Sequence, residues 1–444
     1  MTTLWTSEQV LALSPDASST KNGRALATQA KWPLLGRSNN AAWGECQGSG
    51  KKPYRTQIDL DEPAFRCSCP SRKFPCKHAL GLFLLVTEQA DIFNQGEPPD
   101  WVQEWLEKRG QKAAQKQRAT PDPMAQSKRA EKRAANIAAG LVDLEQWLQD
   151  LLRQGLATLP EQPYSFWDQA AARLVDAQAP GLARRVRNLA SIPYSGQGWP
   201  ERMLTALGHL HLIVQGYQRL TALPPPLQAE VRSQVGLTPS QDELRLRVEQ
   251  GDPWVACLKD IWQVLGKIVT EEDNLKMQRV WLWGQHHRQS ALVLSFAHHR
   301  QPLDVSLVPG TSFSGELIFY PGANRQRAFV ATREATVATL SLADLGAESI
   351  AGAIAHYAQA LSQNPWLERA PLTLGKVLPH YQDNLWWLQD PAGQVLPIVP
   401  SFQQGWELLA TSGGHPVTVF GEWNGQWLLP LSLWSEKQFS RLGD

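Results

Sequence analysis

The sequence predicts an α+β protein of several domains. It has short strands and a helix at the front, a central all-helical region, and a C-terminal region that is mostly β or mixed α+β. Three observations carry this. Apolar residues recur at helical spacing from about residue 136 to 272. From about residue 275 the pattern changes to β-branched, aromatic and leucine-rich runs separated by turn residues. Near the N-terminus, four side chains that favour the same metal ion, Cys67, Cys69, Cys76 and His78, fall within one short run. The expected divisions are 1–107, a basic linker at 108–135, a helical domain at 136–272 and a β-rich domain at 273–444.

In the first domain, residues 4–13 and 18–30 read as short helices. Alternation in Ala41–Gln47 and Tyr54–Leu60 predicts two strands, and Ala64–Cys67 a third. A helix from about His78 to Glu88 carries Leu80, Phe83 and Leu84 toward that sheet, and Asp100–Lys108 reads as another helix.

The run FRCSCPSRKFPCKHALGLFLL has the spacing C-x-C, six residues, C-x-H. Residues two apart on an extended segment face the same side, so Cys67 and Cys69 can meet one ion. Residues two apart on a helix do not, so Cys76 must end the loop while His78 enters the first helical turn. Three thiolates and one imidazole complete a closed tetrahedral shell for Zn2+, the arrangement of a structural site. A catalytic zinc needs an open position and a nearby acid or base, and none is evident. A disulfide framework fits poorly with a long chain holding five cysteines.

These residues resemble a SWIM zinc finger, and the upstream run WGECQGSGKKPYRTQIDLDEPAFRCSC resembles the lead-in of bacterial proteins carrying that module. The resemblance covers roughly residues 40–90. It implies a small ββα zinc module that binds DNA or protein, with Cys67, Cys69, Cys76 and His78 as ligands.

Charge is uneven. Residues 1–133 hold 20 Lys/Arg against 14 Asp/Glu, while the whole chain has a net charge of +1. Lys51, Lys52 and Arg55 precede the cysteine run, and Arg66, Arg72, Lys73 and Lys77 lie within it. Such cations can contact phosphates of DNA or RNA without reading sequence. A merely solvated basic surface explains them as well. The span 108–133 adds nine basic residues against Asp122 and Glu131, and reads as a linker or solvated helix.

In the helical region, Ile137, Leu141, Leu144, Leu148, Leu151 and Leu152 line one face. Further helices are expected at Tyr164–Gln178, Gly181–Ala190, Trp199–Ala222, Pro226–Val235 and Pro253–Val269. Expected strands follow at Arg279–His287, Ala291–His299, Leu303–Leu307, Gly315–Tyr320 and Ala328–Leu340, then a helix at Ala347–Ser362. Strands return at Leu385–Asp390, Val417–Trp423 and Gln426–Pro430, with Asn424-Gly425 as a hairpin turn. Most of the nineteen tryptophans are expected in cores.

Gly48-Ser49-Gly50-Lys51-Lys52 lacks the spacing of a phosphate loop and reads as a basic turn. Cys46 is expected to face a core, and Cys257 to be buried in a helix. His286-His287 and His298-His299 flank a hairpin and are a candidate second metal site. His209 and His211 point apart on a helix, and Glu271-Glu272-Asp273 reads as an exposed helix end or turn. No known catalytic signature is present, which leaves the question of an enzyme open. The N-terminus lacks the basic start and apolar core of a secretory signal, no apolar run reaches membrane-spanning length, and the cysteine usage points to the cytoplasm.

Three functional expectations result. The first is a zinc-binding interaction protein whose finger engages DNA or RNA. The alternative is a protein–protein adaptor with a structural zinc, and the third is an enzyme with an unrecognised C-terminal site. The partners expected are DNA or RNA and a protein, with no membrane.

Overall fold

The computed structural model describes residues 7–11, 13–47, 52–60, 64–71, 73–116, 123–272, 275–298, 303–337, 349–435 and 439–442. The first unit holds α1 (Ser7–Leu11), α2 (Ala17–Leu26), β1 (Leu34–Arg37), β2 (Ala41–Cys46), β3 (Tyr54–Asp59), β4 (Ala64–Cys67), α3 (Lys77–Glu88), β5 (Asn94–Gln95) and α4 (Asp100–Lys116). The strands form one sheet in the order β4-β3-β2-β1-β5. The expected ββα unit, β3–β4–α3, is present and is widened by β1, β2 and β5.

Alternation sends the two faces of this sheet to different partners. Ala42, Cys46, Ile58 and Phe65 face α3 in one core, while Ala41 and Trp43 pack with Val102 of α4 on the other face. Helix α3 is buried all round from His78 to Val86, as its unbroken apolar run requires. Glycines let α2 approach it. A Cβ at Gly81 would lie 2.8 Å from the Leu26 Cβ, and one at Gly23 2.9 Å from the Leu80 Cβ.

Helices α5 (Pro123–Gln154), α6 (Tyr164–Asp176), α7 (Pro180–Leu189), α8 (Trp199–Gln218), α9 (Pro225–Val235) and α10 (Gln241–Glu249) follow. Residues 108–116 and 123–135 of the expected linker continue α4 and begin α5. Ile137, Leu141, Leu144, Leu148 and Leu151 are buried in one core with Trp167 and Val186. Leu152, expected on the same face, is exposed.

The expected helix Pro253–Val269 is a strand, β6 (Cys257–Glu272). It joins β7 (Leu275–Gly284), β8 (Ser290–His298), β9 (Ser312–Phe319) and β10 (Arg327–Val337) in a closed barrel. A register shift between Val264 and Gly266 breaks the two-residue alternation. Leu258, Ile261, Trp262, Leu265, Ile268 and Val269 are thereby left at helix-like intervals. The interior holds Trp262, Val264, Val280, Leu282, Phe313 and Phe319. The buried Trp262 indole donates to the Gly315 carbonyl at 3.2 Å. The expected strand Leu303–Leu307 is an irregular connection. Its Val305, with Val308 just beyond, packs into the core of the first unit. The part of Ala328–Leu340 beyond Val337 lies outside the described residues.

The last unit is α11 (Ile350–Gln363), β11 (Ala370–Gln382), β12 (Leu385–Gln389), β13 (Val395–Pro397), α12 (Gly405–Ser412), β14 (Val417–Trp423), β15 (Leu428–Trp434) and β16 (Phe439–Arg441). Its sheet runs β13-β12-β11-β14-β15-β16. Asn424-Gly425 makes the β14–β15 turn. Gly425 has φ +94°, and the Asn424 carboxamide oxygen accepts from the backbone of Gln426 and Trp427.

Candidate metal centre

The register of the β3–β4 hairpin places Cys67 opposite Thr56. Beyond the strand, Ser68 stays zipped to it: its N–H donates to the Arg55 carbonyl, and its hydroxyl accepts from the Arg55 N–H, both at 2.9 Å. This carries Cys69 back to the side of Cys67. Cys76 is the N-cap of α3, with extended backbone (φ −76°, ψ 165°), and His78 lies in the first turn.

The ligand atoms of Cys67, Cys69, Cys76 and His78 all fall within 4.8 Å of one another. Cys67 Sγ and His78 Nδ1 are 3.8 Å apart. A tetrahedron with zinc–sulfur bonds of about 2.3 Å and a zinc–nitrogen bond of about 2.0 Å has edges of that size. Cys76 and His78 are buried, and Cys67 and Cys69 are half-buried. Four donors of this chemistry, converging and closed to solvent on the helix side, fit Zn2+ in a structural role.

The surroundings orient the donors. Thr56 Oγ1 lies 3.2 Å from Cys67 Sγ and becomes the donor once that sulfur is ionised. Backbone N–H groups of Cys69, Ser71 and Ala79 point at the sulfurs of Cys67, Cys69 and Cys76. The Tyr54 ring covers His78 with centroids 5.0 Å apart. Thr56 and Tyr54 escaped the sequence reading, although the hairpin register with Cys67 could have located Thr56.

The cysteines influence one another's ionisation as a group. A hydrogen bond from the Cys67 thiol, opposed by burial and aided by His78 and the Ala79 N–H, holds Cys76 far below a normal thiol. Donating that hydrogen bond, together with burial, pushes Cys67 up. Cys46 is fully buried in the core of the first unit, and burial raises its thiol to about 11.

The seven candidate phosphate contacts divide. Arg55 pairs with Glu45 at 3.0 Å and lies over the Trp101 ring at 5.6 Å. Lys73 pairs at 2.7 Å with Asp16, whose carboxylate caps α2 and is held to about 2 by the hydrogen bond from Lys73 and by the Ser19 N–H. Lys52, Arg66 and Lys77 are exposed and make no ion pair with a described residue. Lys51 and Arg72 lie outside the described residues, as does most of the turn 48–52.

The histidine pairs do not converge. His298 pairs with Leu275 at one end of the β7–β8 hairpin, while His286 and His287 lie in the turn beyond Trp283↔Ser290 at the other. His299 is outside the described residues. His286 and His287 instead clasp Asp260, whose carboxylate accepts from both backbone N–H groups and contacts both rings at 2.7 and 2.9 Å. Cys257 is exposed at the start of a strand rather than buried in a helix. Glu271 and Glu272 end a strand, not a helix, and Asp273 is outside the described residues.

Residues 54–86 match the family model of the SWIM zinc finger, and residues 132–235 match that of the SWIM-associated four-helix bundle domain. No curated protein and no solved structure matches the chain. The finger match spans β3, β4, the knuckle and α3. The bundle match runs from within α5 to the end of α9.

Proposed function

We propose that this SWIM zinc finger protein binds DNA or RNA through its finger, with the zinc ion holding the binding surface in shape. Zinc-binding is the finger's chemistry, and its closed ligand shell leaves recognition to the surrounding side chains. The observation that carries the reading is the trio Lys52, Arg66 and Lys77, three exposed cations with no ion-pair partner among the described residues. Lys128, Arg129 and Lys132, exposed on the first turns of α5, extend the basic character. Such side chains release counterions on meeting phosphates, so the affinity is sequence-independent and salt-sensitive.

The test is binding of full-length, zinc-loaded protein to duplex DNA and single-stranded RNA across a salt series. Affinity should fall steeply as salt rises, and replacing Lys52, Arg66 and Lys77 together with Gln should flatten that dependence. Absence of binding at low salt removes the proposal.

One observation favours the adaptor alternative. Arg55 and Lys73 already spend their charges inside the first unit. A finger that binds no polyanion in the salt series, yet retains a protein on affinity capture, has the adaptor role. No helix among the described residues is long and apolar enough to cross a membrane. We place the protein in the cytoplasm on its free thiol ligands.

A further inference from the structure

A cavity of about 630 Å³ lies where the helical bundle, the barrel and the last unit meet, and nothing described so far uses it. Its barrel wall follows from alternation. On β7 and β8, Met277, Arg279, Leu294 and Phe296 all point outward, cross-strand pairs being Met277↔Phe296 and Arg279↔Leu294. An outward apolar face needs a cover. Phe296 is only half covered, being 51% exposed at the cavity.

The polar groups are unbalanced. Five guanidinium groups line the cavity: Arg184, Arg185, Arg279, Arg327 and Arg369. They face three carboxylates, Glu230, Glu368 and Glu422. Glu422 is held by Arg279 at 2.8 and 2.9 Å, and Glu368 by Arg185 at 2.9 Å. Burial pushes the Glu230 carboxyl up, toward its neutral form. Arg327 makes no ion pair with a described residue and lies over the Tyr320 ring at 4.4 Å. Three residues before it in sequence, the buried side-chain nitrogen of Asn324, which also lines the cavity, has no hydrogen-bond partner. A buried donor without a partner is unfavourable unless something accepts from it.

We propose that this cavity binds a small organic anion, with its carboxylate or phosphate group on Arg327 and Asn324 and its apolar body against Met277, Leu294 and Phe296. A planar guanidinium stacked on an aromatic ring is pre-arranged for two-point recognition of such a group. The volume suits a ligand of drug-like size rather than a folded partner. The site is independent of the zinc finger and of what the finger binds.

The probe is 1-anilinonaphthalene-8-sulfonate, an anion on an apolar aromatic body, with the uncharged N-phenyl-1-naphthylamine as its comparison. Full-length, zinc-loaded protein should bind the sulfonate saturably at one site, and the uncharged dye at least about tenfold more weakly. Arg327→Met should weaken the sulfonate at least about tenfold, the loss of a hydrogen bond to a charged group, and barely affect the neutral dye. Phe296→Glu, at an exposed position, should weaken the sulfonate too and carries the test if the arginine variant fails to fold. Benzoate and phenyl phosphate should displace the dye, and the tighter of the two names the head group. Equal affinity for the two dyes, sulfonate binding within about twofold of the parent in a folded variant, or failure of both small anions to displace the dye overturns the proposal.

Discussion

Arg279 and Glu422, 143 residues apart in the chain, form a two-point ion pair at 2.8 and 2.9 Å with side chains only 6% and 3% exposed. The pair joins the outer face of the barrel to the central strand β14 of the last sheet. The Trp281 indole donates to the same carboxylate at 2.9 Å. Nearby, Ser432 donates to the Leu265 carbonyl, and Phe420 and Leu431 pack against Trp281. Two sheets that share no ladder are thus locked by one charge pair set in an apolar seam.

Breaking that pair from one side should be costly. Glu422→Ala strands a buried guanidinium and an indole N–H, and about 3–5 kcal/mol of stability should be lost. Replacing both partners together, Arg279→Met with Glu422→Leu, leaves no buried charge behind and should recover much of the loss. Chemical denaturation of the two variants measures this. A double variant no more stable than Glu422→Ala contradicts the account.

Zinc binding should be graded by distance from the ion. Cys69→Ser removes a ligand, so the protein should lose its zinc and the knuckle around 67–78 should become protease-sensitive, because binding energy of about 10–16 kcal/mol for such sites is also folding energy. Thr56→Val removes only the hydroxyl beside Cys67 and should retain zinc with about 10–100-fold weaker affinity. Elemental analysis and competition with a chelator distinguish the two. A Cys69→Ser protein with full zinc content refutes the ligand set.

Asp260 should leave a signature in acid. Its side chain is fully buried. Burial opposes its charge, but the N–H groups of His286 and His287, then their rings, hold its carboxyl to about 2. A folded value below the unfolded one near 3.9 stabilises the protein above about pH 4, and that contribution is lost as pH falls from about 4 through 2. Its size is roughly 2–3 kcal/mol. Asp260→Asn should therefore be less stable than the parent at pH 7, and the difference should shrink below pH 4. A gap that stays constant down to pH 2 excludes this role.

The metal centre was legible in sequence because its geometry is local. Cys67 and Cys69 share a strand side, and Cys76 and His78 straddle a helix start, so spacing alone decides that they converge. Strands β2 and β3 were legible from their alternation, and β4 from its place before the knuckle. Elsewhere local signals competed or fell silent. The bulge after Val264 gave β6 a helical rhythm. Strand β11 alternates buried and half-buried residues but carries Pro371 and Pro379, which masked it. The long-range contacts left no sequence trace. The histidines read as metal candidates serve a carboxylate about 26 positions upstream, and Arg279 finds Glu422, 143 residues further along the chain.

A lysine that meets a phosphate contributes about 0.9 to the slope of log affinity against log salt on duplex DNA. Lys77→Gln and Arg66→Gln should each lower the slope by about that amount, since neither charge is committed within the described fold. Arg55→Gln should leave the slope nearly unchanged. Its guanidinium pairs with Glu45 and stacks on Trp101 of α4, so removing it should cost only a surface pair's worth of stability, about 0–1 kcal/mol. Salt titrations of the three variants beside their melting curves separate the roles. If Arg55→Gln reduces the slope as much as Lys77→Gln does, the ion pair with Glu45 opens on binding, and the assignment of Arg55 to the scaffold fails.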